Sequence, residues 1–534
     1  MPAHAQASTS RGRRRKEAAL PSADLRHPVR CGSARIVHIA AECWPFARTG
    51  GLGEAVSTLA SHHTAGGLSS TVVMPLYRQV KQRRPDLKLV HGEIVISLGD
   101  RQECVRVWHA DASHGRHDTF FIDHPLFGER DGVYGRDATD YPDNAQRFAT
   151  FCVAALAALP EIAPRASVVH AHDWHAALVP VYLRTAFAAS EFHQRLGAVL
   201  SVHNAAFQGT VVPQIMPMLG LSPSLYDWRL LEWYGRVNLL KGGLAFADAV
   251  TTVSPTHAWE LTTPEGGFGL HDAFAALGER LVGILNGLDD EIWNPSTDIE
   301  LAARYSASSL SGKHDCKAEL QRAFGLPHRA EAPVIAMCAR LAAQKGIDVV
   351  LESEALSRDG VQLIVLGEGE PGLADALSAR AAAASHRIAV RTSFSERLEH
   401  VLLGGADLFL MPSRYEPCGL AQMRAQRYGA LPVAHRVGGL ADTIEDGVTG
   451  FLFDGCTPAA LDGAIARALV KYADRATWRR MMRGAMSRDF GWSNSAAAYR
   501  GVYQQAVDES RRRRPRSLHD AVSSRSSRPR DYEV

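Results

Sequence analysis

Short apolar runs of strand length alternate with helix-like stretches along nearly the whole chain, and they do so in two series. The first series opens at Ile36-Val37-His38-Ile39-Ala40. It continues through Ser70–Met74, Glu93–Leu98, Cys104–Ala110, Thr119–Asp123, Ser167–His172, Ala198–Asn204, Ala249–Ser254 and Leu281–Leu285, with an Ala-rich helical stretch at Asp143–Leu159. The second series runs through Val334–Cys338, Val361–Leu366, Arg387–Thr392, Leu408–Met411 and Leu431–Ala434. Strands that alternate with helices imply a parallel sheet covered on both faces. A chain of 534 residues is too long for one such core.

The expected fold class is therefore α/β, with two doubly wound, Rossmann-like domains facing across a cleft. The pattern predicts an N-terminal domain over 35–285 and a C-terminal domain over 286–491. A C-terminal helix over 492–508 is expected to cross back to the first domain. Residues 1–34 and 509–534 read as basic, disordered tails. Residues 1–35 carry Arg11, Arg13, Arg14, Arg15, Lys16, Arg26, Arg30 and Arg35 against Glu17 and Asp24. The other end carries Arg511 to Arg514, Arg516, Arg525, Arg528 and Arg530 against Asp520, Asp531 and Glu533. The whole chain is only +2, so the body between the tails is acidic, which argues against nucleic acid bound by the core.

Eight cysteines are scattered with no C-x-x-C pair, which suits reduced thiols and supplies no zinc signature. No apolar run is long enough to span a membrane, and the N-terminus lacks a secretory h-region. The expected compartment is a bacterial cytoplasm, with an organelle transit peptide as the alternative for the basic start.

The stretch Ser413-Arg414-Tyr415-Glu416-Pro417-Cys418-Gly419-Leu420 links the strand Leu408–Met411 to a helix expected over Gly419–Ala430. It sets a carboxylate on a strand-to-helix turn, just before unpaired helix N–H groups. Glu416 reads either as a site residue or as a helix cap. Arg340 and Lys345 follow the strand Val334–Cys338, and a second glycine-opened helix starts at Gly438. Two cations with aligned backbone dipoles suit a diphosphate. The run Arg48-Thr49-Gly50-Gly51-Leu52-Gly53-Glu54 matches neither Walker A nor G-x-G-x-x-G, and reads as a ligand-approach loop or a tight turn. His170, His172, His175 and Asp173 sit at a strand end. Their spacing divides the side chains between strand and helix, which fits groups aimed at a sugar better than a metal site.

Seven of these runs, taken in order, resemble bacterial glycogen synthases, and plastid starch synthases share them. They are Arg48–Glu54, His170–Ala176, Val202–Gly209, Ile284–Trp293, Arg340–Gly346, Ser413–Leu420 and Val437–Thr443. The resemblance covers roughly residues 36–508. It implies a two-domain GT-B glycosyltransferase that moves glucose from ADP-glucose to the non-reducing end of an α-1,4-glucan, such as glycogen, with retention of configuration. It implies no cofactor and no metal, and leaves the oligomeric state open.

By that resemblance Arg340 and Lys345 bind the diphosphate, Glu416 contacts the donor glucose, His203 contacts it from the opposing domain, and Asp173 lies in the sugar pocket. Arg48, Gly50, Gly51, Asn286, Cys418, Gly419 and Leu420 fall around the donor. Gly438, Gly439 and Leu440 fall around the phosphates, and Phe394 at the base. The chain departs from the family pattern at Arg48 (usually Lys), Glu54 (Asp), Ala421 (Thr), Arg424 (commonly Tyr) and Val437 (Thr). A transferase with another donor such as UDP-glucose, and a glucan-binding paralogue without turnover, are the competing readings. Glycogen phosphorylase shares the broad fold but needs pyridoxal phosphate, and its sequence is not resembled. A front-face substitution is the favoured route to retention, with a covalent glycosyl-Glu416 intermediate as the alternative.

Overall fold

The computed structural model describes residues 35–111, 117–136 and 139–513. The tails expected over 1–34 and beyond 513 lie outside the described residues. Two large sheets are formed, and each grows outward from its own first strand.

The first sheet has nine strands: β1 (Arg35–Ile39), β2 (Ser69–Pro75), β3 (Lys88–Leu98), β4 (Arg101–Ala110), β5 (Asp118–Asp123), β6 (Val168–His172), β7 (Gly197–Val202), β8 (Ala249–Thr252) and β9 (Leu281–Gly283). Their order is β9-β8-β7-β6-β1-β2-β5-β4-β3. All neighbours are parallel except β3 with β4 and β4 with β5. This corrects the wholly parallel sheet expected from the alternation. Gly99, at φ 61°, joins β3 to β4 in a tight turn, and so short a link permits only an antiparallel partner. The parallel strands β6 and β7 are buried at every position, whereas β3 shows solvent on one side.

The second sheet has six strands, all parallel: β10 (Val334–Cys338), β11 (Gln362–Leu366), β12 (Ile388–Arg391), β13 (Leu408–Met411), β14 (Leu431–His435) and β15 (Phe451–Phe453). Their order is β12-β11-β10-β13-β14-β15. The sequence reading missed β15, which is only three residues long. It also missed a small antiparallel sheet of Thr210–Val211, Glu232–Trp233 and Arg236–Asn238.

In both sheets the chain leaves the first strand in one direction and later returns to its other side. The order reverses between β1 and β6, and again between β10 and β13. The crevice outside the carboxyl ends of strands at such a reversal is the binding place of open α/β sheets. Every catalytic candidate leaves from one of these strand ends or from the adjacent end of β7.

Six helices matter for the site: α1 (Gly51–Ala65), α2 (Pro255–Glu260), α3 (Glu396–Gly405), α4 (Ala421–Arg427), α5 (Gly438–Thr443) and α6 (Trp492–Arg513). Helix α4 is shorter than the Gly419–Ala430 stretch expected. Helix α6 runs to Arg513, past the boundary expected at 508. Its Trp492, Tyr499, Val502, Tyr503 and Ala506 share a core cluster with Ile36, Leu59, Val168 and Val199 of the first sheet's layers. A Cβ on Gly197 would stand 2.7 Å from the Ala506 backbone, so glycine is what lets α6 lie against β7. Arg513 pairs with Asp248, which also accepts from Arg184 at 2.9 Å. Among the described residues no helix is long and apolar enough to cross a membrane.

Candidate functional site

Strand β13 delivers Glu416 and strand β10 delivers Lys345, side by side at the second reversal. Lys345 Nζ donates to Glu416 Oε2 at 2.5 Å, and Ser413 Oγ donates to the same oxygen at 2.9 Å. Glu416 is buried. A buried carboxylate with two donors is held in one orientation with its charge met. Gln344 Nε2 ties the two loops together by donating to the Tyr415 carbonyl at 3.1 Å. Arg340 is exposed and reaches Gln344 Oε1 at 3.3 Å.

The turn after Glu416 is built on Gly419, at φ 68°. The N–H groups of Gly419 and Leu420 have no acceptor among the described residues. Cys418 is buried, and burial pushes its thiol up to about 12. The second glycine pair is arranged differently. A Cβ on Gly438 would stand 2.1 Å from the Glu416 carbonyl oxygen, and one on Gly439 2.0 Å from that of Cys418. These glycines let the two loops stack backbone on backbone. Their donors are engaged: Gly439 N–H on the Glu416 carbonyl (3.1 Å), Leu440 N–H on Val437 (3.0 Å), and Gly438 N–H on Glu260 Oε1 (2.8 Å). The Glu260 carboxylate, from α2, thus occupies a donor that the sequence reading assigned to phosphate.

In the first sheet, Asp173 follows β6 and His203 follows β7. Asp173 Oδ1 accepts from His203 N–H at 2.7 Å and Asn204 N–H at 3.3 Å. Burial pushes the Asp173 carboxyl up to about 7, against the pull of those two amides. Burial holds His203 down to about 4, so it is neutral at pH 7. Its Nε2 lies 3.0 Å from His172 Nδ1, and His172 Nε2 lies 3.0 Å from His38 Nδ1. Nitrogens of His38, His170 and His172 lie within 4.8 Å of one another. They face each other and nearby hydroxyls, with His170 against Ser201 and Tyr503. Asp173 and His175 stand outside this group, and His38, read from the sequence only as a strand residue, belongs to it.

The glycine loop after β1 is anchored by Glu42, another residue the sequence reading passed over. Glu42 accepts from Thr49 N–H (2.6 Å), Thr49 Oγ1 (2.7 Å) and Tyr134 OH (2.5 Å). A Cβ on Gly50 or Gly51 would meet nothing within 4 Å, so the space beside this loop is open. Arg48 stands 3.9 Å from Glu54 and 3.6 Å from Glu396. Asn286 is buried, and its Oδ1 has no partner among the described residues. Phe394 is 42% exposed, at the end of the loop after β12.

Two departures from the family pattern meet each other. Arg424 of α4 donates to both Glu54 oxygens, at 2.8 and 2.7 Å, and to Glu399 of α3 at 2.9 Å. Its guanidinium lies 4.0 Å from the centre of the Trp293 ring. Burial works against this charge, but the two carboxylates hold it firmly protonated. Thr256 and Asp442 make a further bridge between the halves, at 2.9 and 2.6 Å, beside that of Glu260 and Gly438.

Residues 35–276 match the family model of the starch synthase catalytic domain, and residues 321–483 that of glycosyl transferases group 1. A glycogen synthase of Anaeromyxobacter sp. is 43% identical over 88% of this chain and 98% of its own length. One from Syntrophotalea carbinolica is 40% identical over 89% and 99%. Among solved structures, the catalytic domain of starch synthase IV from Arabidopsis thaliana, bound to ADP and acarbose, superposes with a TM-score of 0.81. It is 30% identical and covers 89% of this chain and 100% of its own. Sucrose-phosphate synthase from Thermosynechococcus elongatus shares the fold at a TM-score of 0.57.

Proposed function

This chain belongs to the glycogen synthase family of glycosyltransferases, and from that premise we propose how its cleft moves glucose from ADP-glucose to the non-reducing end of an α-1,4-glucan. The observation that carries the reading is the Lys345–Glu416 contact at the reversal of the second sheet; in this reading Asp173 and His203, at strand ends of the first sheet, reach the same sugar. In this reading residues 35–285 form the acceptor-side domain, residues 286–491 the nucleotide-sugar side, and 492–508 the helix that returns.

Arg340 and Lys345 meet the diphosphate charge, joined by the open N–H groups of Gly419 and Leu420. The engaged donors at Gly438, Gly439 and Leu440 favour a supporting role for that loop, which holds the Glu416 turn from behind. Asn286, Arg48, Gly50 and Gly51 surround the donor, and Phe394 takes the base. As the C1–O bond to phosphate breaks, C1 gains oxocarbenium character. The acceptor O4 bonds to C1 on the same face, and its proton passes to the departing phosphate oxygen to give ADP. Glu416 stabilises the positive charge at C1. Lys345 and Ser413 already draw on its carboxylate, which weakens it as a nucleophile and favours front-face transfer over a covalent glycosyl-Glu416. Neutral His203 adds no charge that would oppose the oxocarbenium, and its carbonyl accepts no hydrogen bond among the described residues. The bridges Arg424–Glu54 and Thr256–Asp442 keep the halves together, which excludes the water that would hydrolyse the donor.

The two glycogen synthases named above are bacterial, which supports a cytoplasmic location. The test is incubation of the purified chain with glycogen and either ADP-glucose or UDP-glucose. Nucleotide release with glucan extension, preferring ADP-glucose, is expected. Preference for UDP-glucose overturns the donor. Glucan binding with no turnover of either, in folded protein, overturns the transfer.

A further inference from the structure

Three residues other than glycine hold a positive φ among the described residues: Asp173 at 56°, Tyr234 at 48° and Phe268 at 51°. Asp173 belongs to the cleft. The other two are bulky aromatics, for which the left-handed region is strained and persists only where surrounding structure enforces it. Both are enforced. The Phe268 carbonyl accepts from Gln208 Nε2 at 3.0 Å, and Gln208 Oε1 accepts from Asn238 Nδ2 at 2.6 Å. The Gly269 carbonyl accepts from Trp233 Nε1 at 3.0 Å. Tyr234 tips the hairpin of Glu232–Trp233 and Arg236–Asn238, where Glu232 Oε1 accepts from Gly235 N–H at 2.8 Å.

The two strained rings are linked to the cleft. Tyr415, the neighbour of Glu416, meets the Phe268 ring edge-on at 5.1 Å. Trp233, bonded to the residue after Phe268, meets the Tyr234 ring at 5.2 Å. Tyr234 is 80% exposed. One exposed aromatic needs no explanation. Two aromatic pairs, joined through the Trp233–Gly269 hydrogen bond, that begin at the neighbour of Glu416, cost backbone strain to hold and end on a bare ring need one. Pyranose rings offer apolar C–H faces rimmed by hydroxyls, which suits aromatic faces with a polar edge.

We propose that Tyr415, Phe268, Trp233 and Tyr234 form a track that carries the acceptor α-1,4-glucan out of the cleft, with Tyr234 as its outermost stacking ring. The track rests on the glucosyl-transfer reading, which has the glucan end beside Glu416 and the rest of that chain leaving the cleft. It predicts a preference for longer acceptors that depends on Tyr234.

The test uses the full chain, with maltoheptaose, maltose and ADP as separate probes in equilibrium binding. Tyr234→Gly removes the ring and relieves the strain, since glycine takes positive φ freely. Tyr234→Phe keeps the ring. Tyr234→Gly is expected to weaken maltoheptaose about tenfold while ADP and maltose bind as before, and Tyr234→Phe to restore most of the loss. Wild-type maltoheptaose affinity in Tyr234→Gly overturns the track, as does a parallel loss of ADP affinity. Turnover of ADP-glucose separates the two claims. Normal turnover with indifferent binding sinks the track alone. Loss of maltoheptaose affinity in a chain that never releases ADP sinks the transfer reading alone.

Discussion

Glu416 and Lys345 sit 2.5 Å apart, yet they are assigned different tasks, and substitution separates them. Removing one contact made to the developing charge commonly costs about 10²–10³ in rate. Glu416→Ala is therefore expected to lower kcat by that factor while ADP binds nearly as before; equal losses in turnover and ADP affinity would make Glu416 a binding group only. Arg424 is a different case, because it touches no proposed reacting atom. Arg424→Met removes the cation and leaves Glu54 and Glu399 facing each other in a buried place. The expected cost is about 3–5 kcal/mol, read as a lowered urea midpoint. A midpoint at the wild-type value would mean that the bridge contributes nothing net. The strand-end positions of Arg340, Lys345, His203 and Glu416 were legible in the sequence because each lies in a short run after an apolar strand. Glu42, Glu260, Gln208 and the partners of Arg424 were not. Glu260, Gln208 and the partners of Arg424 act across long sequence separations, and Glu42 joins nearby Thr49 to distant Tyr134; no local pattern marks a side chain that will meet a group so far along the chain. Phe268 and Tyr234 did carry a faint signal, since each directly precedes a glycine at positive φ.

At the scale of elements, alternation predicted most strands, because a parallel strand buried on both faces reads as an unbroken apolar run. It failed where that reason lapses. It marked β3 and β4 as strands but not their antiparallel direction, which comes from a hairpin with one solvated side, and β15 is too short to show a run. Helix α6 was legible as helix, and its site of docking depends on glycines that the alternation does not mark. Gly197→Ala would drive a methyl into the Ala506 backbone at 2.7 Å, which is expected to destabilise the chain by about 1–3 kcal/mol. Gly501 lies within α6, and a Cβ there would meet nothing within 4 Å. Gly501→Ala is expected to stabilise by up to about 1 kcal/mol through helix propensity. Thermal unfolding of the pair decides between docking and propensity: equal shifts of the same sign would show that α6 does not press on β7 at Gly197.

For the whole molecule, the buried imidazoles set how stability depends on pH. Burial holds His203 and His63 down to about 4 and His175 to about 3. Burial, joined by neighbouring imidazoles, pushes His38, His170 and His172 well below 6.5. Each folded value lies below the unfolded one. Between about 6.5 and 4 the unfolded chain therefore takes up protons that the folded chain refuses. Stability from these groups is complete above about 6.5 and is lost as pH falls toward 4. Asp173 acts in the opposite sense. Its folded carboxyl is raised to about 7, so it favours the folded state at low pH and loses that contribution as pH rises from about 4 to 7. One carboxyl opposes six imidazoles, and each uncompensated proton is worth about 1.4 kcal/mol per pH unit. The urea midpoint is thus expected to be higher at pH 7 than at pH 5, and to fall further at pH 4.5. His175→Phe should reduce that slope by about one proton, because the ring lies among Tyr134, Phe148 and Trp174, where a second aromatic keeps the contacts without titrating. A midpoint unchanged from pH 7 to 5 would mean that the histidines at the base of the cleft reach solvent in the folded chain, and the neutral His203 on which the charge argument at C1 depends would fall with it.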